Sequence, residues 1–97
     1  MARVIWTEPA LDELDAIADY IALDKPKAAR SLVQRVFQKV GMLGCFPNLG
    51  TRPAEVKDLP YRQLIISPCR VFYRVEGKKI YIVSVLRGET RIPKIFS

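Results

Sequence analysis

The sequence predicts an α+β fold in which a helical hairpin packs on one face of a small antiparallel sheet. The first half of the chain has two stretches whose apolar residues recur with helical spacing. The second half has three stretches of alternating residues rich in β-branched and aromatic types. A length of 97 residues suits one domain, so we expect residues 1–97 to form a single unit with the order β-α-α-β-β-β.

The N-terminal half predicts a short strand followed by two helices. Residues 2–6 are rich in β-branched and aromatic side chains, and the Thr7 hydroxyl is suited to cap the next helix. Asp24 and Pro26 predict the cap and first turn of a second helix, and Pro47 lies beyond its end. Each helix has one apolar stripe: Leu11, Leu14, Ile17, Ala18 and Ile21 in the first, and Ala29, Leu32, Val33, Val36, Phe37, Val40 and Leu43 in the second.

The C-terminal half predicts a long loop, three strands and an irregular tail at 88–97. Residues 46–60 contain three prolines and no hydrophobic period, and ordered loops of this length are often functional. The strands are predicted at 61–67, 70–76 and 79–87, with a tight hairpin around Gly77. We expect the sheet face opposite the helices to remain open and to carry alternate strand residues.

The net charge of +6 is unevenly distributed along the chain. Residues 1–24 contain one base and six acids, whereas residues 25–97 contain fifteen bases and four acids. A domain with charge segregated in this way has a directional electrostatic field. The basic part is therefore expected to attract an anionic partner, either an acidic protein or a nucleic acid.

Composition excludes several classes of site. The chain has no histidine, which rules out Ser-His-Asp and Cys-His catalysis and His-ligated zinc. Cys45 and Cys69 are far apart rather than in a C-x-x-C pair, so we expect buried, reduced thiols in a cytoplasmic protein. The sequence has neither a phosphate-binding glycine motif nor an apolar run of about 20 residues, so no cofactor, metal or membrane partner is expected.

An ordered series of motifs resembles the RelE/ParE superfamily of toxins from type II toxin–antitoxin, or plasmid stabilisation, modules. The resemblance covers about residues 3–88 and depends on the spacing and order of the motifs rather than on any single one. The motifs are Trp6-Thr7-Glu8-Pro9-Ala10, Leu11-Asp12-Glu13-Leu14, Phe46-Pro47-Asn48-Leu49-Gly50-Thr51-Arg52-Pro53, Leu59-Pro60-Tyr61-Arg62, Arg70-Val71-Phe72-Tyr73-Arg74-Val75 and Ile82-Val83-Ser84-Val85-Leu86-Arg87-Gly88.

This resemblance implies a toxin that a cognate acidic antitoxin, ParD-like or other, holds inactive. The superfamily has two branches with different targets. The ParE-like branch poisons DNA gyrase, whereas the RelE-like branch cleaves mRNA on the ribosome without a metal. A third hypothesis is a degenerate toxin that only binds its antitoxin and acts as a co-repressor.

Metal-free RNA cleavage requires a base, an acid and cations around the phosphate. If the chain is a nuclease, the resemblance suggests Arg62, Arg70 and Arg87 as cations and Glu55 as the base. Arginine is a good phosphate clamp but a poor proton shuttle, because its pKa is near or above 12. The chain has no histidine, and no tyrosine follows Tyr81, so the sequence favours the ParE-like branch.

Two sets of contact residues are expected from the same resemblance. Binding of the anionic target is expected at Arg52, Lys57, Arg62, Arg70 and Arg87. Antitoxin binding is expected at Leu14, Ile21, Arg74 and Arg87, through a helix laid across the helical hairpin and an extended segment along the sheet.

Overall fold

Two helices pack on a four-stranded sheet in the computed structural model, which describes residues 1–88. The predicted α+β fold class and element order are confirmed, while the predicted tail lies outside the described residues except for Gly88. The elements are β1 (Arg3–Trp6), α1 (Glu8–Ala22), α2 (Pro26–Gly41), β2 (Arg62–Ile66), β3 (Cys69–Glu76) and β4 (Lys79–Arg87), with 3-10 turns at Met42–Gly44 and Ala54–Val56.

The sheet has the strand order β1-β4-β3-β2 and is mixed rather than wholly antiparallel. The prediction of an antiparallel sheet holds for β2–β3 and β3–β4 but is wrong for β1, which pairs parallel to β4. The helical hairpin and the loop return the chain so that β2 runs in the same direction as β1, and the two antiparallel steps from β2 to β3 and from β3 to β4 leave β4 parallel to β1. Gly77 has a φ of 58° in the β3–β4 hairpin, a conformation that glycine adopts without steric cost.

The core lies between the helical hairpin and one face of the sheet. Buried side chains from α1, α2, β2, β3 and β4 form one cluster, in which Leu14 and Tyr73 are at most 1% exposed. The Thr7 hydroxyl accepts a bond from the Ala10 N–H at 3.4 Å and donates to the Ile82 carbonyl at 2.7 Å. The cap therefore also ties the start of α1 to β4.

The start of α2 differs from the prediction. Lys25, not Asp24, is the capping residue, and it provides no side-chain hydrogen bond. Pro26 begins the helix, where its missing N–H costs no hydrogen bond because the first helical N–H has no intrahelical partner.

The sheet face opposite the helices is less open than predicted. Phe72 is 1% exposed, and Arg70 and Leu86 are each 9% exposed. The turn Ala54–Val56 lies against this face, because Glu55 bonds directly to Arg70. The second half of the long loop therefore folds onto the sheet and covers positions where alternation alone predicts exposure.

None of the helices described within residues 1–88 combines the length and the apolar character needed to span a bilayer.

Candidate interaction site

Arg70 is the centre of a polar cluster on the sheet face opposite the helices. Its guanidinium forms a bidentate pair with the Glu55 carboxylate, with Nη1–Oε2 and Nη2–Oε1 distances of 3.0 and 3.1 Å. Nε donates to the Gln63 side-chain carbonyl at 2.9 Å, and the guanidinium lies 5.0 Å above the centre of the Phe72 ring. The Arg70 guanidinium thus contacts Glu55, Gln63 and Phe72, and both of its terminal nitrogens bond to a carboxylate.

This pairing determines the chemistry of Glu55. The hydrogen bonds from Arg70 hold the pKa of the Glu55 carboxyl below its ordinary value of 4.5, with a smaller contribution from a backbone hydrogen bond. A carboxylate with a lowered pKa is a weaker base, because the partner cation stabilises its charged form. In this conformation Glu55 and Arg70 neutralise each other rather than forming a base and a free phosphate clamp.

Arg62 anchors the start of the long loop. Its Nη1 donates to the Gly50 carbonyl at 2.8 Å, while the Gly50 N–H donates to the Tyr73 hydroxyl at 2.8 Å. The same hydroxyl donates to the Pro47 carbonyl at 2.8 Å. Burial raises the pKa of the Tyr73 phenol, which keeps it in the neutral form that can donate this bond. Arg62 therefore serves the loop attachment in the described conformation.

The two loop bases are exposed. The Arg52 Nη1 group donates to the Leu59 carbonyl at 3.1 Å, which joins the two ends of the Ala54–Val56 turn. Lys57 follows that turn directly, with an exposed side chain. Among the predicted anion contacts, these two residues lie on the outer surface of the loop and remain accessible to a large partner.

Arg87 lies on the helix side of the sheet. It pairs in register with Cys69, a core residue, and its guanidinium is 5.6 Å from the centre of the Tyr20 ring in α1. Cys69 in turn pairs with Ile66, which is four residues along β2 from Arg62. At about 3.3 Å per residue, Arg62 and Arg87 are about 13 Å apart along the strands, with one strand between them. The predicted arginines therefore do not converge on one phosphate-sized site.

The predicted antitoxin contacts have different environments. Leu14 is 1% exposed and belongs to the core, so it is not on the surface for a partner to contact. Ile21 is partly buried against that core. Arg74 lies above the Tyr81 ring at 4.9 Å and pairs with Glu76, with an Nε–Oε1 distance of 3.2 Å.

An apolar surface near Arg87 was not predicted from the sequence. Tyr20 is 66% exposed and Leu23 is 86% exposed, and both lie at the C-terminal end of the α1 region. In the sequence, Tyr20 and Leu23 lie within two positions of Ile21, a residue of the predicted apolar stripe, and this proximity could have indicated the apolar surface. Arg87, Tyr20 and Leu23 offer a partner an accessible cation beside apolar surface.

Several supporting contacts also have no signal in the sequence. The Glu13 carboxylate, outside the predicted apolar stripe of the first helix, accepts the Ser84 hydroxyl at 3.0 Å and the Val85 N–H at 3.2 Å. These bonds join residues about 70 positions apart, and no periodic pattern predicts such a pair. Among the described residues, no three His, Cys, Asp or Glu side chains are grouped as a metal site would need.

Comparisons with known proteins agree with the architecture. A family model described as the ParE toxin of the type II toxin–antitoxin system parDE matches residues 4–92. A chain from a solved structure of the chromosomal ParDE toxin–antitoxin system from P. aeruginosa superposes with a TM-score of 0.78 at 34% identity. That alignment covers 92% of this chain and 98% of the other.

Curated relatives extend over almost the same length. A Sinorhizobium fredii protein, Y4kP, is 33% identical over 95 residues, which are 96% of this chain and 95% of that protein. Toxin ParE3 of Caulobacter vibrioides is 28% identical, with 95% of this chain and 92% of ParE3 covered. Toxin RelE2 of the same organism is 33% identical, with 88% of this chain and 93% of RelE2 covered.

The fold and these similarities define a toxin of the RelE/ParE superfamily from a type II toxin–antitoxin system. Within that class, the chain belongs to the ParE toxin family, whose model matches it from residue 4 to residue 92.

Proposed function

We propose that this toxin inhibits DNA gyrase and that a cognate acidic antitoxin neutralises it by binding. The observation that carries the choice of gyrase is the bidentate Glu55–Arg70 pair. The pair joins Glu55, the candidate general base, to Arg70, a candidate phosphate-binding cation, in a chain that has no histidine. A protein that acts by binding its target needs no general base, whereas a metal-free nuclease does.

The exposed loop bases support a role in target binding. Arg52 and Lys57 lie on the outer surface of the long loop, within the basic part of the chain. Gyrase holds DNA, so a complex of gyrase and DNA presents both protein and phosphate surface to such cations. Arg62 and Arg70 contribute by keeping this loop attached to the sheet.

Antitoxin binding is proposed at the end of α1, where Ile21, Arg87 and the exposed Tyr20 and Leu23 lie together, and at Arg74 on the opposite face. An amphipathic helix with acidic residues beside its apolar stripe would match the apolar surface and the Arg87 cation. An extended acidic segment that reaches Arg74 would then cover both faces of the sheet. Such a chain would order on binding and mask the positive field of the toxin.

Purified toxin released from its antitoxin tests the proposal in two parallel assays. Gyrase supercoiling of relaxed plasmid is expected to fall with toxin concentration, while ribosome-bound mRNA remains intact in primer extension. Lys57→Ala is expected to weaken inhibition, and Lys27→Ala, which removes an equal charge from α2, serves as the matched control. Equal loss in both variants would indicate that only total charge matters.

Ribosome-dependent mRNA cleavage is the second candidate, because RelE2 is 33% identical to this chain. This hypothesis requires the Glu55–Arg70 pair to open on the ribosome and release both groups. It predicts codon-positioned cleavage that Glu55→Gln abolishes. Intact mRNA in the presence of folded toxin would exclude this candidate, and inactivity in both assays would favour the degenerate co-repressor.

A further inference from the structure

The outer edge of β2 carries backbone groups that the described part of the chain leaves unpaired. Thr51 and Gln63 exchange both backbone hydrogen bonds, at 3.0 and 2.7 Å, so the Gln63 N–H and C=O point away from β3. In an antiparallel ladder this direction repeats every second residue, so the Ile65 N–H and C=O also point outward. The bridge to Thr51 ends at Gln63, and within residues 1–88 no strand continues it alongside Ile65.

A basic groove lies directly beside this edge. It has a volume of about 380 Å³ and is bounded by α2 and the end of β2. Arg35 crosses one end, where its Nη1 donates to the Ser67 carbonyl at 3.1 Å, and Lys39 follows one helical turn later. The lining is Arg35, Gln38, Lys39, Met42, Ile65, Ile66 and Ser67, a set that contains two bases and no acid.

The charge of this region is uniform in the sequence as well. Residues 25–54 contain six bases and no acid, so α2 presents only positive charge along its whole length. Two apolar side chains on the groove are also accessible, since Ile65 is 54% exposed and Met42 is 47% exposed. An exposed edge strand with these neighbours favours association with another extended chain.

We propose that this groove binds an extended acidic segment of a protein partner, which adds to the sheet as a fifth strand beside β2. Its backbone would pair with the Ile65 N–H and C=O, its acidic side chains would face Arg35 and Lys39, and an apolar residue would cover Ile65. This groove uses none of the residues assigned above to target or antitoxin binding, and the proposed strand addition holds for either target.

The lining favours a peptide over a nucleic acid and over a second copy of this chain. Single-stranded nucleic acid is usually held by aromatic side chains that stack on the bases, and none of the described residues that line this groove is aromatic. Two copies paired edge to edge would bring Arg35 and Lys39 of each copy towards the same cations of the other. An acidic extended segment would pair with the outward backbone groups of Ile65 and would also neutralise the charges of Arg35 and Lys39.

The test measures fluorescence anisotropy of a labelled ten-residue peptide of alternating glutamate and valine, added to the full toxin chain. Binding is expected at low salt and should weaken as salt rises, because part of the attraction is electrostatic. Two further peptides are matched controls, one with lysine in place of glutamate and one with alternate valines replaced by proline, which cannot pair as a strand. Equal binding of the proline peptide would overturn strand addition.

Variants of the toxin locate the site. Lys39→Glu is expected to weaken peptide binding about tenfold through repulsion of the glutamates, whereas Lys27→Glu, outside the groove, should have a much smaller effect. Ile65→Pro removes the outward N–H and should abolish binding, while Ile65→Val retains it. Circular dichroism would verify that each variant is folded.

Besides equal binding of the proline peptide, three further results would overturn the proposal. Equal losses in Lys39→Glu and Lys27→Glu would show attraction to overall charge alone. Retained binding by folded Ile65→Pro would show that the backbone edge is not used. Displacement of the peptide by an equal concentration of single-stranded RNA, with the same sensitivity to Lys39→Glu, would assign the groove to nucleic acid instead.

Discussion

A single phenol fixes the start of the long loop at the residue scale. The Tyr73 side chain is completely buried, and its hydroxyl bonds both to the Gly50 N–H and to the Pro47 carbonyl. The bond from the Gly50 N–H is buried and therefore costly to lose, because no water would replace the hydroxyl there, whereas the Pro47 carbonyl is only partly buried. Alternation correctly predicted that Tyr73 faces the core, but it could not predict this polar role.

Tyr73→Phe is therefore expected to lower the free energy of unfolding by about 2 kcal/mol, because it leaves the buried Gly50 N–H and the partly buried Pro47 carbonyl without this partner while the ring remains. Chemical denaturation with unchanged slope would measure the difference. Tyr81→Phe is the matched control, with an expected change below about 0.5 kcal/mol because its side chain is partly exposed. Equal effects of the two changes would contradict the assigned role of the Tyr73 hydroxyl.

Glu55 and Arg70 provide a second prediction at this scale. Because the folded pKa of Glu55 is lowered, its contribution to stability is complete above the ordinary value of 4.5 and disappears as pH falls through the folded value. Glu55→Gln should cost about 1 kcal/mol at pH 7, a modest amount because the carboxylate is 48% exposed to screening water. The difference in the free energy of unfolding between the natural chain and Glu55→Gln should disappear in acid.

Unfolding measured across pH tests this dependence. Glu76→Gln is the control, because Glu76 forms a more exposed pair with Arg74 and should change stability by less than about 0.5 kcal/mol. A difference between Glu55→Gln and the natural chain that is as large at pH 3 as at pH 7 would contradict the ionic role of Glu55.

At the scale of elements, the loop between α2 and β2 is held to the sheet at both ends. Thr51 pairs with Gln63 near its start, and Glu55 bonds to Arg70 further along. Close approach at Gly50 makes the first attachment possible. A Cβ atom there would lie 2.5 Å from the Gln63 carbonyl oxygen and 2.8 Å from the Tyr73 ring, closer than real contacts allow.

Gly50→Ala should thus destabilise the chain by about 3 kcal/mol or detach the loop, because the obstacles include backbone and a buried ring. Gly41→Ala is the contrasting change, because Gly41 lies at the end of α2 and an added Cβ would meet nothing within 4 Å. That change should stabilise by about 0.5 kcal/mol, since alanine favours helix. Thermal unfolding of the two variants would measure the expected loss of stability in Gly50→Ala and the expected gain in Gly41→Ala. Similar changes in both variants would contradict the role assigned to close packing at Gly50.

Element order was predictable because helical and strand periodicities are local properties of the sequence. The parallel β1–β4 pair was not, since the direction of pairing depends on how distant segments return to the sheet. The ion pair between Glu55 and Arg70 could not be predicted either. The two residues are fifteen positions apart across a loop with no hydrophobic period, so no sequence pattern indicates that they meet. Arginines at strand positions suggested one anion site, whereas their register places Arg62 and Arg87 on the helix side and Arg70 on the other face.

For the whole molecule, the central claim is that this ParE-family toxin acts by binding rather than by cleaving RNA. Its positive field comes from residues 25–97, while the acids lie mainly before residue 25, so the field has a direction. Such a field would speed association with the proposed acidic antitoxin and with the proposed DNA-bound target, and salt would weaken it. Binding is therefore expected to be faster at low salt for either partner.

Gyrase cleavage trapping tests the central claim most directly. Purified toxin, gyrase, ATP and supercoiled plasmid are incubated and then denatured with detergent and protease, so that trapped cleavage complexes appear as linear DNA. We predict linear DNA that increases with toxin concentration and is lost when the cognate antitoxin is added first. Unchanged plasmid topology at micromolar concentrations of folded toxin would contradict the claim.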